Sequence, residues 1–338
     1  MKNTLKIQLT TLAALGCFSL TALAQDQNVK WQGHFGITDF TNNTPWLRDD
    51  GTRAAPDSTT WVRIGDYHTP ANMPILSTNT AFTVKSLFVG FGSNGHGELT
   101  MSDGSITVAD TFGIGNFNNA SGAVHQSGGN MSINGGSHYI GGSSSSTGNG
   151  TYNLSGGTLA HSGTGIGQVR FYMGAGGVTS DLNISGTGDI SDGKTRLMLS
   201  NGGTANISLT GSDATTGFEN WYMGNGTTNI NLTADSGGLS LMNINWWGDT
   251  GGTQNLVVDL TNYDVANGDS FDLIDVTWAT FDATIWESAT IVGKDAEFAY
   301  TADGNGTKLS VVSIVPEPSI YALFAGMLGL VSGMLRRR

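Results

Sequence analysis

The chain has 338 residues, with 15 Lys plus Arg against 27 Asp plus Glu, a net charge of −12, 50 glycines and one cysteine. So acidic a chain is a poor partner for nucleic acid or an anionic membrane surface, and one cysteine excludes an internal disulfide framework. With 12% charged residues and abundant glycine, the choice between disorder and a fold rests on whether the apolar residues are periodic, because a disordered chain needs no spacing.

The first 24 residues read as a signal peptide. Lys2 and Lys6 give the positive n-region, 9–23 is apolar, and Ala22-Leu23-Ala24 supplies the small-x-small site for signal peptidase, with cleavage before Gln25. The general secretory route is expected. Cys17 follows Ala14-Leu15-Gly16, a faint lipoprotein pattern, but the better site downstream discards it. Setting aside Lys2, Lys6 and the three terminal arginines leaves 10 basic against 27 acidic residues, a formal −17. Residues 25–82 carry Trp31, Trp46 and Trp61 with Pro45, Pro56, Pro70 and Pro74. This irregular segment is expected to cap the N-terminal end of a repeat region that begins at residue 83.

Residues 83–252 repeat. Leu87-Phe88-Val89-Gly90, Phe112-Gly113-Ile114-Gly115, His138-Tyr139-Ile140-Gly141, Phe171-Tyr172-Met173-Gly174, Leu197-Met198-Leu199-Ser200, Trp221-Tyr222-Met223-Gly224 and Asn245-Trp246-Trp247-Gly248 close at intervals of 25, 26, 33, 26, 24 and 24. A second ladder keeps step: Leu99-x-Met101, Val124-x-Gln126, Tyr152-x-Leu154, Leu182-x-Ile184, Ile207-x-Leu209 and Ile230-x-Leu232. A weaker third includes Ile106 and Val108, Met131 and Ile133, Leu159, Ile190, and Leu239 and Leu241. Short alternating strands recurring in step, with glycine-rich turns between them, predict an all-β parallel β-helix (a β-solenoid) of about seven coils with three strands each. At about 4.8 Å per coil the rod is roughly 34 Å long before its caps.

Alternation puts the first and third residues of each phrase inside, including His138 and Asn245, and the second outside. The outward row is Phe88, Gly113, Tyr139, Tyr172, Met198, Tyr222 and Trp246. Such a row either holds sugar rings on its flat faces, with Tyr139, Tyr172, Tyr222 and Trp246 as the candidates, or stabilises the sheet by stacking. One step back, Arg170 and Arg196 share a register in adjacent coils. They repel unless an acidic glycan lies between them or Asp189, Asp192 or Glu219 pairs with them.

A polysaccharide lyase or hydrolase on this scaffold is the competing reading, with Arg170 or Arg196 beside Asp189 and Asp192. Those aspartates lie in a glycine-rich turn where they are ordinary turn formers. No Gly-x-Ser-x-Gly elbow, His-Glu-x-x-His motif, phosphate loop or calcium nonapeptide occurs, and the six histidines lack ligand spacing. No catalytic residue, metal or cofactor is therefore assigned, and His138 is expected in the core. After Gly252 the rhythm stops, and segments 255–260, 271–276, 291–292 and 309–314 suggest a small antiparallel cap over 253–314.

The chain ends with Val315-Pro316-Glu317-Pro318-Ser319, an apolar stretch 320–335, and Arg336-Arg337-Arg338. The prolines forbid helix and leave an extended segment for a processing enzyme to grip. The 16 apolar residues would make a helix of about 24 Å, a little short of the hydrocarbon core, and the arginines would hold the terminus cytoplasmic. This ending resembles a PEP-CTERM sorting signal. The resemblance implies recognition and cleavage by an exosortase, transient membrane insertion of 315–338, and a host of Gram-negative type that exports exopolysaccharide. The repeats are similar to the glycine-rich, autotransporter-type strands of such proteins, which implies a right-handed coil. The resulting expectation is a non-enzymatic cell-surface or matrix protein, a structural or adhesive component of an exopolysaccharide layer or biofilm. A purely structural rod without ligand is a third reading.

Overall fold

The computed structural model describes residues 27–32, 39–43, 45–66, 72–134, 137–142, 146–161, 170–191, 194–199, 202–249, 251–263 and 270–313. The signal-cleavage positions Ala22, Ala24 and Gln25, the sorting residues Val315 to Ser319 and Arg336 to Arg338, and Asp192 lie outside them. Among the described residues no helix is long and apolar enough to cross a membrane.

The chain winds into a parallel β-solenoid of about seven turns. Three ladders of short strands stack in register. The first runs Leu87, Phe112, His138, Phe171, Leu197, Trp221, and the second Leu99, Val124, Tyr152, Leu182, Ile207, Ile230. In the strands Ser121–Ile133 and Asn149–His161 the second and third ladders are continuous through a bend, where the register shifts around Ser127. Side chains alternate across each strand, so Leu87, Val89, Phe112, Ile114, Phe171 and Met173 are all buried in one continuous core. A single coil cannot bury its own apolar face, so the coils stabilise one another.

The corners explain the glycines. Gly115 ends the strand Phe112–Ile114 at φ +59°, its N–H donates to Val89 O at 2.7 Å, and a Cβ there would lie 1.8 Å from Asn149 O of the next coil. The left-handed backbone and the missing side chain are both required for coils to close to hydrogen-bonding distance.

Parallel pairing continues beyond residues 83 and 252. Val29 and Trp31 pair with Val62 and Ile64, which pair with Leu87 and Val89. On the other side Leu256 and Val258 follow Ile230 and Leu232, and are followed by Ala289 and Ile291. Segments 255–260 and 291–292, expected in an antiparallel cap, are therefore further solenoid rungs. Among the described residues of the C-terminal segment, antiparallel strands are Ser270–Val276, Ala296–Asp303 and Gly306–Ser313, with Gly306–Ser313 between the other two; at the N-terminal end Gln27–Trp31 pairs antiparallel with Trp46–Arg48. At the opposite end Trp31, Trp46, Phe40 and Phe82 pack edge to face, with centroids 4.8 to 5.1 Å apart. The Trp31 and Trp46 indole N–H groups donate to the carbonyls of Asn72 and Phe40.

Three register expectations are corrected. Trp247 pairs with Trp221, and Trp246 with Asn220, two positions from the place the closing phrase suggests. Asn245 is consequently exposed and Ile244 buried, the reverse of the expectation. The third ladder passes from Ile190 through Thr216 to Met242; Leu239 and Leu241 are only half-buried beside it.

One polar pair sits inside the core. Tyr152 is buried, its hydroxyl donates to Gln126 Oε1 at 2.5 Å, and Gln126 Nε2 donates to the carbonyls of Gly129 and Thr158. Tyr152→Phe strands that amide oxygen, and a loss of about 1–3 kcal/mol is expected in denaturant titration. Burial pushes the phenol pKa upward. The folded state therefore keeps the proton that the unfolded chain releases near pH 10, so this stabilisation is complete below about pH 10 and is lost as pH rises above it. The loss of stability above that pH should be shallower in Tyr152→Phe; an unchanged slope would contradict the assignment.

Candidate functional site

The outward face of the first ladder carries the side chains singled out from the sequence. Because Phe171 and Met173 turn inward, Arg170 and Tyr172 turn outward on the same short strand, Arg170–Met173. Stacking of the coils then makes two rows. One is Ser137, Arg170, Arg196, Asn220, Trp246; the other is Tyr139, Tyr172, Met198, Tyr222, Gly248.

Tyr139 and Tyr172 stack with centroids 5.4 Å apart and ring planes 20° from parallel, and both are half-buried. Met198 separates them from Tyr222, also half-buried. The row is shorter than the sequence suggests at both ends. Phe88 is 5% exposed because Trp61, Phe91 and Phe117 close over it at 5.2 to 6.1 Å. Trp246 belongs to the arginine row, since the coil reaches Trp247 two residues late.

The two arginines differ. Arg196 donates through Nε and Nη2 to both carboxylate oxygens of Glu219, at 3.1 and 2.9 Å. That bidentate bond holds the guanidinium pKa above its ordinary value. Arg170, in register with it and exposed, makes no ion pair or side-chain hydrogen bond among the described residues. Among the described residues its coil therefore presents a cation without an acidic partner beside the stacked tyrosines. Asp189 lies on a third-ladder strand, where its Oδ1 accepts from Ser191 N at 2.8 Å as a turn former does. Arg170, Arg196 and Asp189 are not brought together as an acid–base site. Among the described residues no cluster of three or more His, Cys, Asp or Glu is arranged to hold a metal ion. His138 is fully buried, and its Nδ1 accepts from Phe112 N at 3.1 Å.

A second polar surface was not singled out from the sequence. On the outward face of the second ladder, Asp181, Asn206, Asn229 and Asn255 form one column, and Asn183, Ser208 and Asn231 run beside it. Together they line a shallow groove of about 420 Å³. The signal was present in the residues flanking each apolar position: Asp181-x-Asn183, Asn206-x-Ser208, Asn229-x-Asn231. A further cavity of about 440 Å³ lies at the C-terminal end over Trp247 and Phe281, which stack at 5.3 Å. No protein family, curated protein or solved structure matches this chain.

Proposed function

We propose that the protein is an exported, surface-sorted rod that holds exopolysaccharide in an extracellular layer without cleaving it. The observation that carries this reading is the stacked Tyr139–Tyr172 pair with the exposed Arg170 beside it, which has no acidic partner among the described residues. Flat aromatic faces suit the C–H face of a pyranose, and a lone guanidinium suits the carboxylate of an acidic sugar. A rod offering such contacts along its side binds weakly at each site and firmly overall. Together, Tyr139→Ala and Tyr172→Ala should weaken retention on alginate about tenfold, equivalent to about 1.4 kcal/mol, while thermal unfolding stays cooperative. Undiminished retention in a folded double variant would leave the purely structural rod as the better reading.

Placement outside the cell rests on the two chain ends. Exosortase and signal peptidase are the processing partners this implies, with the cell surface or matrix as destination. Replacing Pro316, Glu317 and Pro318 by alanine should leave the unprocessed form in the membrane fraction. Normal processing of that variant would count decisively against sorting by this tail.

A further inference from the structure

The asparagine groove on the second ladder is chemically unlike the tyrosine row. Asn255 Nδ2 donates to Asn229 Oδ1 at 2.9 Å, Asn229 Nδ2 to Asn206 Oδ1 at 2.8 Å, and Asn206 Nδ2 to Asp181 Oδ1 at 2.7 Å. The relay runs one way and ends on a carboxylate that also accepts from Thr151 Oγ1 at 3.3 Å. Each inner amide spends one N–H and one lone pair along the rod. One N–H and one lone pair of each are left for the groove. Beside this column, Ser208 and Asn231 are half-buried and have no side-chain hydrogen bond among the described residues.

We infer that this groove is a second ligand site, separate from the tyrosine row, for an uncharged polyhydroxyl chain such as a neutral glycan lying along the rod axis. A free amide N–H beside a free amide oxygen matches a sugar hydroxyl, which both donates and accepts. The donors and acceptors recur with the strand spacing of about 4.8 Å, so successive units of a polymer meet equivalent partners. The charge balance selects against a polyanion: among the described residues the groove has no cation and its one charged side chain is Asp181, and the chain carries −12 overall. Of its described lining residues only Val257 is apolar, which gives an apolar peptide little to bury. The site goes beyond the tyrosine-row reading and does not depend on it.

Affinity electrophoresis of the full chain through gels containing hydroxyethyl cellulose or alginate tests it. Ser208→Ala and Asn231→Ala, which break no bond of the relay, should together reduce retardation by hydroxyethyl cellulose at least fivefold and leave alginate unaffected. Tyr139→Ala with Tyr172→Ala should do the opposite, so that failure of either site is read separately. Unchanged retardation of Ser208→Ala/Asn231→Ala by hydroxyethyl cellulose would overturn the inference. So would a change of oligomeric state in that variant by sedimentation, which would make a second copy of the chain the occupant.

Discussion

Gly115→Ala is expected to cost about 4 kcal/mol or more, a large share of the roughly 5–15 kcal/mol that holds a typical domain folded. Two penalties coincide at this corner. At φ +59° an L-residue pays about 1–2 kcal/mol for the left-handed backbone. The added Cβ would then lie 1.8 Å from Asn149 O, deep inside van der Waals contact. Relief requires the neighbouring coil to move, yet the hydrogen bonds from Gly115 N to Val89 O and from Gly141 N to Ile114 O, both 2.7 Å, fix the coil spacing on either side. Gly304→Ala separates the two penalties. That glycine has φ +60° in the turn between Ala296–Asp303 and Gly306–Ser313, but nothing lies within 4 Å of its Cβ position. It should cost only the backbone share. Denaturant titration of both variants checks the difference, and similar losses would show that the coil-to-coil contact is unimportant.

Trp221→Ala should destabilise by about 4 kcal/mol, through lost burial and the cavity left behind. Trp221 is fully buried between Phe218, stacked at 5.6 Å and 9°, and Trp247, edge-on at 5.3 Å and 87°. Trp247 in turn stacks on Phe281 and meets Trp286 edge-on at 5.8 Å. These rings join the last first-ladder rungs to the C-terminal segment, so the loss should also expose that end to proteolysis earlier. Trp278→Ala, at a site 56% exposed, should change stability by about 0.5 kcal/mol or less. Equal effects at the two tryptophans would contradict this packing.

The repeats are legible because two simple constraints coincide in them: alternation with a period of two and a glycine at six of the seven closing positions, Ser200 being the exception. Those constraints also hold outside residues 83–252. Val62-Arg63-Ile64-Gly65 has the same form as Leu87-Phe88-Val89-Gly90 and lies 25 residues before it. The intervening Pro70 and Pro74 hid its membership in the first ladder, although Ile64 and Val89 are paired. Leu256-x-Val258 likewise continues the second ladder 26 residues after Ile230-x-Leu232. The error at Trp246 has a different cause. Asn245-Trp246-Trp247-Gly248 imitates a closing phrase, but large rings pack against large rings, and Trp247 follows Trp221 by 26 residues. At Phe88, alternation gave the direction of the side chain but could not show that Phe91 and Phe117 fold over it, because that cover comes from a corner and the next turn. The asparagine columns occupy outward positions of the second ladder, where polar residues are ordinary and alternation alone does not show that they share a column.

The most direct test of the proposed role is to incubate the purified protein with acidic and neutral polysaccharides and to measure both retention and the appearance of new chain ends. Retention without new ends is the predicted result. Release of new chain ends would contradict it.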